Sequence, residues 1–290
     1  MPDSMLAGFH YAIIGGDERQ RELYWLMEEN GYKVRTYGLE TGRDSDLKET
    51  ITQSEVVLFP ILMADAEGNI PLYTKSKKIT ADEAVGMLPE NAFIICGKAN
   101  SRLKKRAERR EVKLIDILDD EVFAIENAIP SVEGAIACAI IHSSITIHNS
   151  RCMVIGYGRI GRLLACQLRQ MGACTYVAAR RLESRAWAEA EGHRAYDTAD
   201  METMFSECDF IFNTIPVRLL GMEALRKINK NCLLVELASR PFIFDPVEAE
   251  EVGVKYRIEL GLPGRYAPKT AAGIILDTVE RLIRQNMEVI

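Results

Sequence analysis

The 290-residue chain is short of the features that mark several large classes of protein. It has only four histidines, none at a metal-ligand spacing, so no metal site is expected. It has no C-x-x-C pair, and its seven cysteines are scattered and odd in number. Such cysteines read as reduced core residues of a cytoplasmic protein. Positive charge is not in excess, and a net charge of −6 leaves no electrostatic footprint for nucleic acid. The longest apolar run, Ala135 to Ile141, falls far below the roughly 20 residues that cross a bilayer. The opening Met1-Pro2-Asp3-Ser4 has neither the basic nor the apolar region of a signal peptide. Hydrophobic residues at 48% and charged residues at 27% are those of a globular protein, long enough for two domains. A small-molecule partner is therefore expected, with neither nucleic acid nor membrane.

What the chain does carry centres on Gly156-Tyr157-Gly158-Arg159-Ile160-Gly161. The glycines have the G-x-G-x-x-G spacing. Cys152 to Ile155 before them reads as a buried parallel strand, and Arg162 to Met171 after them as an apolar-periodic helix closed by Gly172. Three glycines alone say little, but in this context each has a task in a dinucleotide-binding fold. Gly156 allows the tight turn, Gly158 lets a pyrophosphate approach the backbone, and Gly161 lets the helix pack closely on the strand. The helix N-terminus then offers N–H donors to phosphate. The competing reading is a glycine-rich turn that binds nothing.

Ahead of the fingerprint, strands are expected at 10–14, 33–37, 55–59, 93–96 and 113–117. Helices are expected at 19–30, from the capping box Thr80-Ala81-Asp82-Glu83 to just before Pro89, and over the basic stretch 101–110. Residues 64–78 read as a loop with a short hairpin. This alternation implies a parallel sheet wrapped by helices, flavodoxin-like or Rossmann-like. Its Gly15-Gly16 turn lacks a third glycine, which favours a tight strand-to-helix turn over a second nucleotide site. Pro130-Ser131 opens a helix apolar on nearly every face, expected to be buried on several sides. The expected fold is thus α/β, with two parallel-sheet domains linked by an apolar helix. The divisions are a flavodoxin-like substrate domain over 1–130, the interdomain helix over 131–150, an NAD(P)-binding Rossmann domain over 151–268, and a C-terminal helix, 269–290, returning to the first domain. His142 and His148 read as structural rather than catalytic.

Beyond the fingerprint, a strand at 175–179 runs into Arg180-Arg181. An NAD site usually has an acid there for the ribose 2′-OH, whereas arginine suits the 2′-phosphate of NADP. NADP(H) is expected, with NAD(H) as the alternative, and Ser184 is a further donor. After a helix at 183–192, strands at 209–214, 233–237 and 255–260 end in Asn213-Thr214-Ile215-Pro216, Ala238-Ser239-Arg240-Pro241 and Gly261-Leu262-Pro263-Gly264. Ligands of a doubly wound sheet lie beyond such strand ends. Thr214, Ile215 and Pro216 are therefore candidates for the cofactor, and Ser239 and Arg240 for the substrate. Pro268-Lys269-Thr270 opens the terminal helix.

Taken together, several stretches resemble one family. They are Gly15-Gly16-Asp17-x-Arg19-Gln20, Asn127-x-Ile129-Pro130-Ser131-Val132-Glu133-Gly134, the fingerprint, Asn213-Thr214-Ile215-Pro216, Glu236-Leu237-Ala238-Ser239-Arg240-Pro241, Gly261-Leu262-Pro263-Gly264 and Ala267-Pro268-Lys269-Thr270-Ala271. In this order, from about His10 to the C-terminal helix, they closely resemble the A subunit of bacterial dipicolinate synthase. The resemblance implies a cytoplasmic enzyme of spore-forming bacteria that oxidises a dihydrodipicolinate-type precursor from the lysine pathway to dipicolinate with a nicotinamide cofactor. It also implies a hetero-oligomer whose other member is the flavoprotein-like B subunit of that enzyme.

A dicarboxylate in a cleft needs cations and further donors. Arg240, Lys269 and Arg19 lie beside expected ligand-facing turns, and Ser131 stands at a helix N-terminus. Arg240 ranks first, because it follows a strand end and is held by Pro241, although it could instead brace Glu236. No catalytic base is assigned, since aromatisation lessens the need for one. The rival readings are an NAD(P)-dependent amino acid or 2-hydroxy acid dehydrogenase, and a non-catalytic nucleotide sensor. Alcohol oxidation normally wants a base such as histidine, and none follows His193.

Overall fold

The structure, a computed structural model, describes residues 6–42, 44–74 and 78–287. The opening residues on which the signal-peptide reading rests, and residues 75–77 of the expected loop, lie outside them. The chain forms two compact units, one of residues 1–127 with 263–290 and one of residues 128–262.

In the first unit, short strands alternate with helices: β1 (His10–Ile14), α1 (Glu18–Glu29), β2 (Lys33–Tyr37), α2 (Leu47–Thr52), β3 (Val56–Leu58), α3 (Ala81–Gly86), β4 (Phe93–Cys96), α4 (Ser101–Arg109), β5 (Lys113–Asp116) and α5 (Glu121–Glu126). The sheet is parallel, in the order β2-β1-β3-β4-β5. That order is the flavodoxin-like one, which decides between the two expected alternatives. Strands such as β3 and β4 are buried along their whole length, and apolar runs of this kind belong to a sheet covered on both faces. The expected capping box at Thr80 is formed, with Glu83 bonding back to the Thr80 N–H. Residues 64–74 carry no helix or strand, and Asn69 forms an antiparallel bridge with Thr80.

The second unit contains α6 (Ala128–Ile141), β6 (Arg151–Ile155), α7 (Arg159–Gln170), β7 (Cys174–Ala178), α8 (Leu182–Ala190), β8 (Arg194–Tyr196), β9 (Phe210–Asn213), α9 (Met222–Lys227), β10 (Leu233–Glu236), α10 (Pro246–Val252) and β11 (Lys255–Ile258). Its parallel sheet has the order β11-β10-β9-β6-β7-β8, the doubly wound dinucleotide topology. The order reverses between β6 and β9. After α11 (Leu262–Tyr266), the long α12 (Pro268–Met287) returns to the first unit. There Ala272, Ile275, Val279 and Ile283 share a core with Leu23 and Met27 of α1. Arg281 grips Asp120, the N-cap of α5, through two bonds of 2.7 and 3.0 Å.

Several expectations need correction. The central helix starts at Ala128 rather than Pro130, because proline is tolerated in a first turn where its missing N–H costs nothing. It follows α5 after the single residue Asn127 and ends at Ile141. It is not buried all round: Val132, Ala135, Cys138 and Ala139 are enclosed, while Ile140 is 52% and Ile141 68% exposed. By length and composition Glu121–Ile141 is the one stretch among the described residues that could cross a bilayer, but half of it is buried inside the protein. The sequence reading also misses α2, α5, β8 and α9 to α11. Each is seven residues or fewer, too short for periodicity to register.

Candidate functional site

The turn from β6 into α7 gives each fingerprint glycine a separate reason to be glycine. Gly156 sits at φ +99°, and a Cβ there would meet the Thr214 hydroxyl at 2.4 Å. Gly161 brings α7 so close that its Cβ would lie 2.2 Å from the Gly156 carbonyl oxygen. Gly158 differs. Its backbone is extended (φ −86°, ψ −162°), and among the described residues nothing lies within 4 Å of where a Cβ would be. It is also the N-cap of α7, and no side chain caps that end. The first turn of the helix, which contains Arg159 and Ile160, begins beside this open space, and helix N-termini direct backbone N–H groups outward.

That space is a cavity of about 390 Å³ at the point where the strand order reverses. It is lined by Gly156 to Gly158, by Ala178 to Arg181 with Ser184 after β7, by Thr198 after β8, and by Ile215, Pro216, Val217 and Leu219 after β9. The expected Arg180, Arg181, Ile215 and Pro216 thus meet there. Arg185 donates to the carbonyls of Ala179 and Arg180 at 2.8 Å each and pairs with Asp197, which pins the turn. The Thr214 hydroxyl is spent on the Ile155 carbonyl at 2.9 Å, so it braces the turn and does not face the cavity. Ser184, Thr198, Val217 and Leu219 complete the lining. Thr198 was beyond reach of the sequence because it follows the short β8.

Tyr157 lines the cavity and donates its phenol to Glu191 at the end of α8, which also accepts from Arg162. Burial, and then the bond to Glu191, push the Tyr157 phenol above its usual range. Its ring stands edge-on to His193, 6.1 Å between centroids. His193 is buried, with Nδ1 2.6 Å from the Thr175 hydroxyl, and burial followed by nearby Arg169 holds its pKa below the usual value. The last histidine of the chain is therefore neutral and enclosed.

Two buried polar residues hold the strand ends nearby. Asn213 closes β9, and its Nδ2 donates to Glu236 at the end of β10 at 2.7 Å and to the Ile215 carbonyl at 2.9 Å. Glu236 further accepts from the backbone N–H groups of Ala238 and Ile243, both at 2.9 Å. Burial raises the Glu236 pKa, while these three donors work against that rise. Arg240 therefore does not brace Glu236. It is exposed, with its guanidinium 5.1 Å over the Phe242 ring, in a depression separate from the cavity. Ser239 beside it is exposed as well.

The remaining substrate candidates are dispersed. Arg19 clasps Asp17 through Nε at 2.9 Å and Nη2 at 2.7 Å. Lys269 is exposed in the first turn of α12. Ser131 is buried inside an almost continuous helical run rather than at a free helix end, because α5 leads straight into α6. His142 and His148 each lie against a backbone carbonyl, at 3.0 and 3.3 Å, as structural histidines do. No group of three metal-binding side chains occurs among the described residues.

Comparison with known proteins gives two family matches. Residues 10–118 match the N-terminal domain of the dipicolinate synthase A subunit, and residues 139–243 match the NAD-binding domain of D-isomer specific 2-hydroxyacid dehydrogenases. The chain is 30% identical to the dipicolinate synthase A subunit of Bacillus subtilis (strain 168), over 97% of this chain and 98% of that protein. Among solved structures it resembles the dipicolinate synthase A subunit from Bacillus halodurans, with a TM-score of 0.84 and 27% identity over 96% of this chain and 98% of the other. The corresponding structure from Bacillus subtilis gives a TM-score of 0.83 and 29% identity over 98% of both.

Proposed function

The chain belongs to the A-subunit family of dipicolinate synthase, and on that premise we propose that it oxidises a dihydrodipicolinate-type dicarboxylate to dipicolinate with NADP(H). The observation that carries the cofactor half of this reading is the uncapped N-terminus of α7 facing open space at Gly158. An anion is stabilised there by unpaired N–H groups and by the helix dipole. Arg180 and Arg181, whose side chains have no ion-pair partner among the described residues, favour a second phosphate at the ribose 2′ position, with Ser184 in support. Ile215, Pro216, Val217 and Leu219 supply an apolar wall that excludes water.

The reaction takes one hydride and one proton from the dihydropyridine ring and leaves an aromatic pyridine. The nicotinamide, when bound, accepts the hydride. The protein's part is to place the ring and neutralise two carboxylates. Arg240 heads the assignment for that task, since no carboxylate among the described residues holds its guanidinium, and Lys269 follows. Arg19, already paired with Asp17, comes last. The Asn213–Glu236 pair keeps the loop that bears Ser239 and Arg240 in one conformation. No residue is assigned as a base. A cytoplasmic enzyme working in an oligomer with the flavoprotein-like B subunit completes the reading.

The match to a 2-hydroxyacid dehydrogenase domain favours a second reading, an alcohol or amino acid dehydrogenase. The enclosed His193 argues against alcohol oxidation by a histidine base. The deciding experiment supplies the purified chain, alone and with the B subunit, with a dihydrodipicolinate precursor and either nucleotide. Nucleotide reduction coupled to dipicolinate formation is expected. Reduction only with hydroxy or amino acids would replace the proposal, and dinucleotide binding without turnover in any mixture would make the chain a sensor.

A further inference from the structure

The basic helix α4 lies in the first unit and has no part in the site described above. Its core-facing residues, Leu103 and Ala107, are buried and account for its packing. On another face stand Arg102, Lys105, Arg106 and Arg109, at positions i, i+3, i+4 and i+7, which is one stripe of a helix. The stripe is about 10 Å long at 1.5 Å per residue. Together with Ser101 and Asp82 these cations line an open depression of about 420 Å³ against α3. Arg106 lies so close to Gly86, the last residue of α3, that a Cβ there would meet its guanidinium at 2.7 Å.

Asp82 pairs with Arg102. Among the described residues, Lys105, Arg106 and Arg109 have no carboxylate partner. The acid of α4 itself, Glu108, lies toward a different depression beside β5. Three uncompensated cations in a row stand out in a chain of net charge −6. Arg106 and Arg109 suit the C-terminal end of the helix dipole, but the like-charged pairs Arg102/Arg106 and Lys105/Arg109 at i,i+4 oppose that gain, so helix stability alone does not account for the whole stripe.

We propose that this stripe docks an acidic segment of a partner protein. A single small anion meets these cations at one point, whereas carboxylates repeating along a peptide can pair with each of the four along about 10 Å. All four cations are exposed, as charged residues of a surface contact are.

The test measures fluorescence anisotropy of a labelled octaglutamate peptide, with a glycine-serine peptide of equal length as blank. The full chain is expected to bind octaglutamate, and about 0.5 M salt is expected to abolish the binding. The double variant R106E/R109E should weaken it at least about tenfold, with dinucleotide binding unchanged. R106Q/R109Q serves the same purpose should the charge reversal unfold. The double variant K33E/K48E, with the same net charge but altered elsewhere in this unit, should bind as the parent does. Equal weakening in both charge-reversal variants, or no binding at all, would overturn the proposal. So would tripolyphosphate binding as tightly as the peptide and displacing it, stripe-dependent binding to phosphatidylserine vesicles in place of the peptide, or self-association of the chain through the stripe.

Discussion

The first strand of each sheet runs into a glycine turn and then a helix: Ile14 into Gly15-Gly16-Asp17 and α1, Ile155 into Gly156-Tyr157-Gly158 and α7. Both turns open with a glycine at positive φ, +62° at Gly15 and +99° at Gly156. Beyond that they diverge. The Gly16 N–H donates to the Pro71 carbonyl at 2.7 Å, and a Cβ at Gly15 would meet that same oxygen at 2.4 Å. The chain's own 70–72 segment thus fills the space that a phosphate takes in a dinucleotide fold. The α1 N-terminus is also closed, because Asp17 and Gln20 form a capping box. At α7 the N-cap is Gly158, which makes no side-chain cap bond, and a cavity stands in front. A helix N-terminus is an anion site only while its donors remain unspent, so the cap residue separates the two turns better than a count of glycines.

The comparison breaks most visibly at the glycine that packs helix on strand. Gly161→Val places carbons against the Gly156 carbonyl, where backbone cannot yield, and should cost about 3–5 kcal/mol of stability, read by denaturant unfolding. A folded variant of parental stability would show that the helix does not need this close approach. Gly158→Asp sharpens the contrast by giving α7 the cap that α1 has, since both N-cap residues are extended (φ −86° and −118°). Stability should hold or rise by a few tenths of a kcal/mol, while affinity for either dinucleotide falls about a hundredfold or more. Calorimetric titration showing undiminished binding by the folded variant would place the phosphates elsewhere.

Smaller effects are expected at the rim. Arg180→Ala with Arg181→Ala should cost about 1.5–3 kcal/mol of NADP(H) binding and little of NAD(H). Equal losses for the two nucleotides would remove the 2′-phosphate assignment. Asp17→Ala should cost about 1 kcal/mol, and it carries a pH signature. Burial pushes the Asp17 carboxyl upward, but its bonds and charge contact with Arg19 prevail and hold it below its ordinary value. A depressed folded pKa means that the stabilisation is complete above the unfolded value and disappears as pH falls through the folded one. The parent should therefore lose more stability than the variant on acidification below about pH 4. Parallel unfolding curves against pH would show that the carboxylate gains nothing from its partners.

The elements read correctly are those with dense local signals. They include β1, β2 and β4, the capping box at Thr80, and the strand-turn-helix of the fingerprint. That Arg180 and Arg181 line the cavity was legible, because the second strand of such a unit ends at the ligand crevice. The Asn213–Glu236 pair was not legible, although both residues lie in quoted strand ends. Nothing local says that an asparagine on one strand and a glutamate 23 residues later meet as buried partners. Arg19 looked available for the same reason: its pairing with Asp17 depends on side-chain directions that spacing leaves open.

The sequence by itself determined most of the strands and the longer helices, that the sheets are parallel, and that one turn has dinucleotide spacing. Those properties follow from backbone propensity and from burial repeating along a single element, which neighbouring residues encode. Only the tertiary structure decided which glycine turn stays open. That depends on whether Pro71 and Leu72, more than fifty residues along the chain, come to rest on Gly15, and on nothing comparable among the described residues covering Gly158. Steric occupation is a property of the assembled fold, because the chain that fills or spares a space can come from any distance along the sequence.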